Sequence, residues 1–70
     1  MSKTYKMIRL VGTSDKSYED AIQNAIHDAR ESLHDLDWFQ VMEQRGRIDA
    51  SGKVIEFQAV IEVGFRIIKK

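Results

Sequence analysis

Two side chains in this sequence, Trp38 and Gln58, have chemistry that suits the binding of a planar ring. Trp38 is the only tryptophan, and its indole could stack on a flat ligand or anchor a contact between subunits. Gln58 interrupts the apolar centre of a strand-like segment with an amide, which offers a hydrogen-bond donor beside an acceptor and so complements the edge of a cyclic imide. An ordinary solvated or interface-bonded glutamine is the alternative, and the residue type by itself favours that alternative.

Two arginines, Arg45 and Arg47, flank Gly46 close to a predicted hairpin. A guanidinium group can hold a phosphate or stack on an aromatic ring, so both residues are candidates for ligand binding. The alternative is that they form the solvated end of a sheet, which is the more usual setting for such a pair.

The sequence lacks the residue combinations that catalysis requires. There is no cysteine, and no other nucleophile has an adjacent base. His27 and His34 lie seven residues apart, which in a helix separates them by about 10 Å, too far to share one metal ion. The carboxylates show no spacing typical of an acid and base pair. The residues therefore indicate a binding or assembly module and not an enzyme.

The composition limits the partners of the chain. Eleven Lys and Arg balance eleven Asp and Glu among 70 residues, which argues against a nucleic-acid partner. The chain has no long apolar run and no signal peptide, so we expect a soluble, cytoplasmic protein with no membrane partner. Residues 1–70 are expected to form a single domain. Its core is thin at this length, and oligomerisation is the common means of stabilising such a domain.

Apolar periodicity predicts one helix and three strands in the order β-α-β-β, which is an α+β domain. Residues 17–36 repeat apolar side chains with a helical period, and Ser17 is placed to cap the helix. Alternating segments at residues 4–11, 38–48 and 54–68 predict strands, and residues 49–53 predict a hairpin loop. We expect a three-stranded antiparallel sheet whose apolar face packs on the helix.

Alternation along the strands assigns side chains to the two faces of the sheet. Phe39 and Val41 are expected to face the helix. The residues expected to face outward in the second strand are Trp38, Gln40, Met42 and Gln44, and Gln58 shares that face in the third strand. A strand of about fifteen residues spans close to 50 Å, whereas a helix of about twenty residues spans roughly 30 Å. The sheet must extend past the helix, which predicts a closed oligomer that covers its exposed surfaces and edges.

Four short motifs together give the chain a family resemblance. They are LVGTS at residues 10–14, WF at residues 38–39, EQRG at residues 43–46 and VGF at residues 63–65. With Gln58 in the third strand, they resemble the dodecins, small flavin-binding proteins that assemble as hollow dodecamers. The resemblance covers essentially the whole chain, including the order of elements and the loop lengths.

The resemblance implies roles for several of the candidate residues. It implies that Trp38 stacks on the isoalloxazine ring, that Gln58 hydrogen-bonds the pyrimidine edge, and that Arg45 lies near an FMN ligand. It also implies that flavins lie in pairs at two-fold axes between subunits. Some bacterial members bind coenzyme A near three-fold axes. The positions that match those residues here are Lys3, Tyr5, Ser32, His34 and Arg66.

The function implied by the resemblance is flavin storage and protection from light damage, without turnover. One alternative is an oligomeric interaction or scaffold protein whose Trp38 face is only a subunit interface. A small flavoenzyme is a third hypothesis, and the absence of a catalytic combination places it last.

Overall fold

The computed structural model describes residues 3–68, which form one helix and three strands in the predicted order. The elements are β1 (Tyr5–Ser14), α1 (Tyr18–Ala29), β2 (Leu36–Ile48) and β3 (Val54–Arg66). The predicted α+β class is confirmed. Within residues 3–68, no helix has the length and apolar character needed to cross a membrane.

The three strands form one antiparallel sheet in the order β1-β3-β2, so β3 is the central strand. β1 continues to Ser14, past its predicted end at residue 11, because Gly12 and Ser14 pair with Ala59 and Phe57 of β3. A Cβ on Gly12 would collide with the carbonyl oxygen of Ala21 in α1. Glycine is therefore present for close packing of the helix and not for a turn.

The start of α1 has the predicted cap. The Ser17 hydroxyl accepts a hydrogen bond of 3.0 Å from the backbone N–H of Asp20, and acidic residues occupy the first turn. The Asp20 carboxylate also accepts a hydrogen bond of 2.7 Å from the Ser14 hydroxyl. The cap therefore ties the helix to the end of β1.

α1 ends at Ala29, and the prediction that it continues to residue 36 is wrong. The amides of Glu31 and Ser32 donate to carbonyls three residues earlier, at 3.2 Å each, which tightens the chain into a turn. Asp35 then has a φ of 64°, a left-handed conformation that does not occur within an α-helix. Leu36 continues the apolar repeat but pairs with Phe65 as the first residue of β2. Sheet pairing therefore overrides the helical period.

The core lies between α1 and the inner face of the sheet, which we define as the face that packs on α1. Its buried residues are small on the helix and mostly branched on β3: Ala21, Ala25, Ala59, Ile61 and Val63. Partly buried apolar residues surround them: Ile8, Leu10, Ile22, Ile26 and Leu36. The small helical side chains let α1 approach the sheet closely, so the larger strand residues supply most of the buried apolar volume.

α1 packs on β1 and β3, which leaves the inner face of β2 largely uncovered. Phe39 and Val41 lie on the inner face, as predicted, yet they are 47% and 39% exposed. The 12 residues of α1 span about 18 Å, whereas the 13 residues of β2 or β3 span about 43 Å. The sheet extends past the helix, as expected, and the shortened helix makes the overhang larger.

β2 contains an extra residue at Met42. Val41 pairs with Ile61 and Glu43 pairs with Val60, so two steps along β2 correspond to one step along β3. This arrangement is a β-bulge, which shifts the alternation of every residue that follows it.

The bulge changes the predicted faces of the second half of β2. Gln44 pairs with the buried Ala59 on the inner face, so the prediction that Gln44 faces outward is wrong. Arg45 pairs with Gln58, and Arg47 follows two residues later on the same side. Both cations therefore share the outer face with Gln58, where strict alternation from Phe39 would have turned them inward.

Candidate functional site

Trp38 lies on the outer face of the sheet, opposite α1, as the sequence predicts. It pairs with Gly64 of β3, and a Cβ on Gly64 would collide with the six-membered ring of the indole. One face of the indole therefore covers the Gly64 backbone, and only glycine leaves room for it. Trp38 is still 39% exposed, so its opposite face is open for stacking.

Tyr5 lies beside the Trp38 ring, and Asp37 binds the hydroxyl group of Tyr5. The Tyr5 hydroxyl donates a hydrogen bond of 2.8 Å to Oδ2 of Asp37, and its ring centroid lies 5.7 Å from that of Trp38 at an interplanar angle of 51°. The hydrogen bond to the Asp37 carboxylate raises the pKa of Tyr5 above its ordinary value. Tyr5 therefore remains a donor throughout the neutral range. Tyr5, Asp37, Trp38 and Gly64 are referred to below as the Trp38 cluster.

A second polar group on the outer face surrounds Gln58. Nε of Arg45 donates to Oε1 of Gln58 at 2.9 Å, and Nε2 of Gln58 donates to Oε1 of Glu56 at 2.8 Å. Arg45 also donates to Oε1 of Glu43 at 3.2 Å, and Arg47 lies opposite Glu56 in the strand register. Glu43, Arg45, Glu56 and Gln58 are referred to below as the Gln58 cluster.

The ion pair in the Gln58 cluster contributes little to stability. The side chains of Arg45 and Glu43 are 53% and 58% exposed, and pairs as exposed as this are worth at most about 1 kcal/mol. The contacts of Arg45 therefore orient side chains more than they hold the fold together. A ligand can displace Glu43 from Arg45 at small cost.

The Trp38 and Gln58 clusters lie far apart within one chain. Trp38 pairs with Gly64 and Arg45 pairs with Gln58, and these two positions on β3 are six residues apart. At about 3.3 Å per residue, that spacing is about 20 Å. One planar ring cannot contact Trp38 and Gln58 of the same subunit, so a site that uses both must combine two subunits.

The residues matched to coenzyme A gather near the Trp38 end of the sheet: Lys3, Tyr5, Ser32, His34 and Arg66. Tyr5 and Arg66 are direct partners in the register of β1 and β3, so the structure brings these two together. Ser32 and His34 are exposed in the segment between α1 and β2. The expectation that His34 shares a helix with His27 is wrong because α1 ends at Ala29. Lys3 is exposed ahead of β1.

No cluster of three or more His, Asp or Glu side chains in residues 3–68 is arranged to hold a metal ion. Across the same residues, every buried side-chain nitrogen or oxygen has a hydrogen-bond partner. The polar groups available to a ligand in these residues are therefore exposed or half-buried ones.

Four residues of the two clusters were missed by the sequence interpretation: Asp37, Glu43, Glu56 and Gly64. Glu56 and Gln58 are two residues apart on a strand, and that spacing could have paired them on one face. Gly64 could have been found as a glycine inside an otherwise apolar strand, since such a glycine often marks a close approach by another group.

Comparison with known proteins gives the family of the chain. The family model for Dodecin matches residues 4–68. A dodecin from Thermus thermophilus is 54% identical over 67 residues, which are 96% of each chain. The solved dodecin of Streptomyces davaonensis superposes with a TM-score of 0.92 at 39% identity, covering 99% of this chain and 100% of that one.

A further relative carries a metal in its name. Calcium dodecin from Mycobacterium tuberculosis is 38% identical over 63 residues, which are 90% of this chain and 87% of the relative. The match of the family model along nearly the whole described chain, the identity to the Thermus relative and the shared β-α-β-β fold agree with the motif resemblance. This chain belongs to the dodecin family.

Proposed function

We propose that this protein binds a flavin of the FMN type between subunits of a dodecamer and sequesters it from light, without catalysis. Proteins of the dodecin family form dodecamers with a small ligand. The observation that carries the proposal is the position of Trp38 on Gly64, which fixes one face of the indole and leaves the other open. We propose that residues 1–70 act as one such domain.

The Gln58 cluster supplies the polar part of the proposed site. The Gln58 amide retains one free acceptor position and one free donor after its bonds to Arg45 and Glu56 are counted. This pair complements the imide edge of a flavin. Arg45 and Arg47 add two guanidinium groups on the same face, and guanidinium groups match the charge and geometry of a phosphate monoester.

The distance between the two clusters supports a site shared by subunits. Because about 20 Å separates them within one chain, a flavin that stacks on Trp38 must reach Gln58 of a neighbouring subunit. The uncovered inner face of β2 and the exposed edges of the sheet also need partner subunits. Ligand binding and assembly are therefore linked in this proposal.

Stacking on indole accounts for protection from light. An electron-rich indole in van der Waals contact with an excited flavin can return it to the ground state by electron transfer. The described residues around Trp38 provide a tyrosine, a carboxylate and a glycine, which is a set suited to holding a ring and not to activating a substrate. These residues therefore support a role in flavin storage more directly than catalytic turnover.

Coenzyme A has weaker support as a second ligand. Arg66 lines a cleft of about 180 Å³ near the Trp38 end, but Asp35 and Asp37 line the same cleft. Two carboxylates oppose the phosphates of such a ligand. Calcium also lacks support in this chain, because the described residues contain no metal-holding cluster of three or more His, Asp or Glu.

The test compares FMN titration and oligomer mass on the same sample of Trp38→Ala. Loss of stacking should weaken FMN binding by about five- to 150-fold, which corresponds to roughly 1 to 3 kcal/mol for a ring stacked on an aromatic side chain. Trp38→Phe should lose less affinity and should restore fluorescence to bound flavin. Particles of unchanged mass that have lost FMN affinity support a stacking role, and particles of unchanged mass with unchanged affinity exclude it. If Trp38 is instead an interface anchor, the alanine variant dissociates.

A further inference from the structure

We propose that Glu56 is a positioning residue that fixes which way round the Gln58 amide points, and thereby the orientation of the ligand edge bound to it. This inference rests on the proposed flavin site. It concerns a residue that touches Gln58 and need not touch the ligand itself.

The two neighbours of Gln58 have opposite hydrogen-bonding character. Arg45, which donates to Oε1 of Gln58 at 2.9 Å, has only donors on its guanidinium group. Glu56, which accepts from Nε2 of Gln58 at 2.8 Å, has only acceptors while it is ionised. A flipped amide would set N–H groups against Arg45 and a carbonyl against Glu56. Both contacts would then be repulsive, so only one orientation of the amide is compatible with its neighbours.

The fixed amide leaves a defined pair of groups for a ligand. Oε1 keeps one lone pair beyond its bond from Arg45, and Nε2 keeps one N–H beyond its bond to Glu56. The ligand must therefore present its donor to Oε1 and its acceptor to Nε2. A cyclic imide has an N–H between two carbonyls, so this polarity selects one of the two carbonyls as the acceptor.

The surroundings of Gln58 make this constraint effective. Gln58 and Glu56 are both half-buried, so water competes less for their hydrogen bond than it does for the exposed pair of Arg45 and Glu43. Arg47 lies opposite Glu56 in the register of β2 and β3. Arg45 donates to Oε1 of Gln58 and so orients that oxygen, whereas Glu56 accepts from Nε2 and so orients the nitrogen.

The matched pair of variants is Glu56→Gln and Glu62→Gln. Both remove one negative charge from the outer face of β3 without changing the size of the side chain. Glu62 pairs with Arg9 at 3.1 Å and is six residues along the strand from Glu56. A glutamine at position 56 can accept from Nε2 or donate to Oε1 of Gln58, so it no longer imposes a polarity. Glu62→Gln leaves the Gln58 cluster intact.

The first measurement needs no ligand. In protein with nitrogen-15 in its glutamine side chains, the Nε2–H of Gln58 that faces Glu56 should resonate downfield, and Gln58→Ala should assign it by its loss. Glu56→Gln should reduce the downfield shift, because a neutral amide accepts more weakly than a carboxylate, and Glu62→Gln should retain it. An unchanged shift in Glu56→Gln would overturn the proposal, because the donor would then not be held by Glu56.

The second measurement uses FMN labelled with carbon-13 at one ring carbonyl or the other, read by infrared difference spectroscopy. In the wild-type protein, only one carbonyl stretch should be lowered by a bond from Nε2. In Glu56→Gln, where only Arg45 still orients the amide, part of the lowering should pass to the other carbonyl, and FMN affinity should fall about three- to tenfold. Glu62→Gln should match the wild type.

The outcomes separate the inference from the proposed function. If FMN binds wild type and Glu56→Gln with the same affinity and the same single lowered carbonyl, the positioning role is wrong and the flavin site stands. If FMN does not bind the wild-type protein, the proposed function fails, together with the ligand part of the inference. The amide resonance then still decides whether Glu56 fixes Gln58.

Discussion

At the scale of single residues, Trp38 and Gly64 function as a pair. The indole lies where the Gly64 side chain would be, so the ring is supported by backbone and cannot rotate toward the sheet. Tyr5 is inclined against the ring and is itself held by Asp37. A stacking surface is most useful when it is already in place before the ligand arrives, because less freedom is then lost on binding.

Gly64→Ala should test this support. The new methyl group would displace the indole, which is a half-exposed side chain and can swing outward, so the fold should persist. FMN affinity should fall by up to about 150-fold, the upper limit for a lost stacking contact. Fluorimetric titration measures the affinity, and the near-ultraviolet circular dichroism of the ligand-free protein reports the moved indole. An unchanged spectrum with unchanged affinity would contradict the described contact.

Gln58→Ala should weaken FMN binding without breaking the assembly. Each neutral hydrogen bond contributes about 0.5 to 1.5 kcal/mol, so two bonds to the ring edge amount to several-fold up to roughly hundredfold in affinity. Titration with FMN, followed by light scattering on the same sample, measures both quantities. Equal affinity in the variant and the wild type would assign Gln58 to structure alone.

At the scale of elements, the sequence predicts the hairpin of β2 and β3 closely. The alternation of β3 and the turn residues at 49–53 are local signals, and the observed loop lies between Ile48 and Val54. The end of α1 could not be predicted in the same way. Its apolar repeat continues to Leu36, but the left-handed Asp35 and the pairing of Leu36 with Phe65 depend on the folded sheet.

The candidate site was predictable in its types of residue and less so in its arrangement. An outward Trp38 and a strand amide at Gln58 follow from alternation. The position of Arg45 beside Gln58 depends on a bulge that no residue type announces, since Met42 is a usual strand residue. The separation of the two clusters depends on register, which appears only once β3 is paired.

The Asp49 loop offers a test at the scale of elements that depends on pH. Oδ1 of Asp49 accepts hydrogen bonds from the Ser51 hydroxyl at 2.7 Å and from the backbone N–H of Ser51 and Lys53 at 2.9 and 3.0 Å. The Ser51 hydroxyl and these backbone donors lower the pKa of Asp49 below its ordinary value. Asp49 therefore contributes stability above the pKa that it has in the unfolded chain, and this contribution is lost as the pH falls through its folded value.

Asp49→Asn keeps an acceptor in the loop but removes the charge. The variant should unfold at a lower temperature than the wild type at pH 7, and the difference should shrink as the pH falls from about 5 toward 2. Thermal unfolding at a series of pH values and a fixed protein concentration measures this. A difference that stays constant with pH would mean that the charge of Asp49 does not contribute.

At the scale of the whole molecule, the chain is elongated and incompletely covered. Its described residues extend over 55 × 21 × 13 Å, and apolar residues such as Phe39, Ile48 and Val54 are exposed. A monomer would leave β1 and β2 as open edges on a sheet that α1 only partly covers. Contact with other copies is therefore expected to provide a large part of the stability.

Size-exclusion chromatography with light scattering should give one species near twelve times the subunit mass of 8.1 kDa. If dissociation accompanies unfolding, the unfolding temperature should also rise with protein concentration, because assembly then stabilises the folded state by mass action. A folded monomer that persists at micromolar concentration would exclude the proposed shell.

The extra residue at Met42 makes β2 one residue longer than its register with β3 requires. Deleting Met42 would remove the bulge, because Val41 and Glu43 would then be neighbours as Ile61 and Val60 are. Arg45 would still face outward opposite Gln58, and Gln44 would still face inward opposite Ala59. The chemical sidedness of the wall of the proposed shell therefore depends on pairing with β3 and not on the number of residues in β2. We expect this strand to tolerate the loss of Met42.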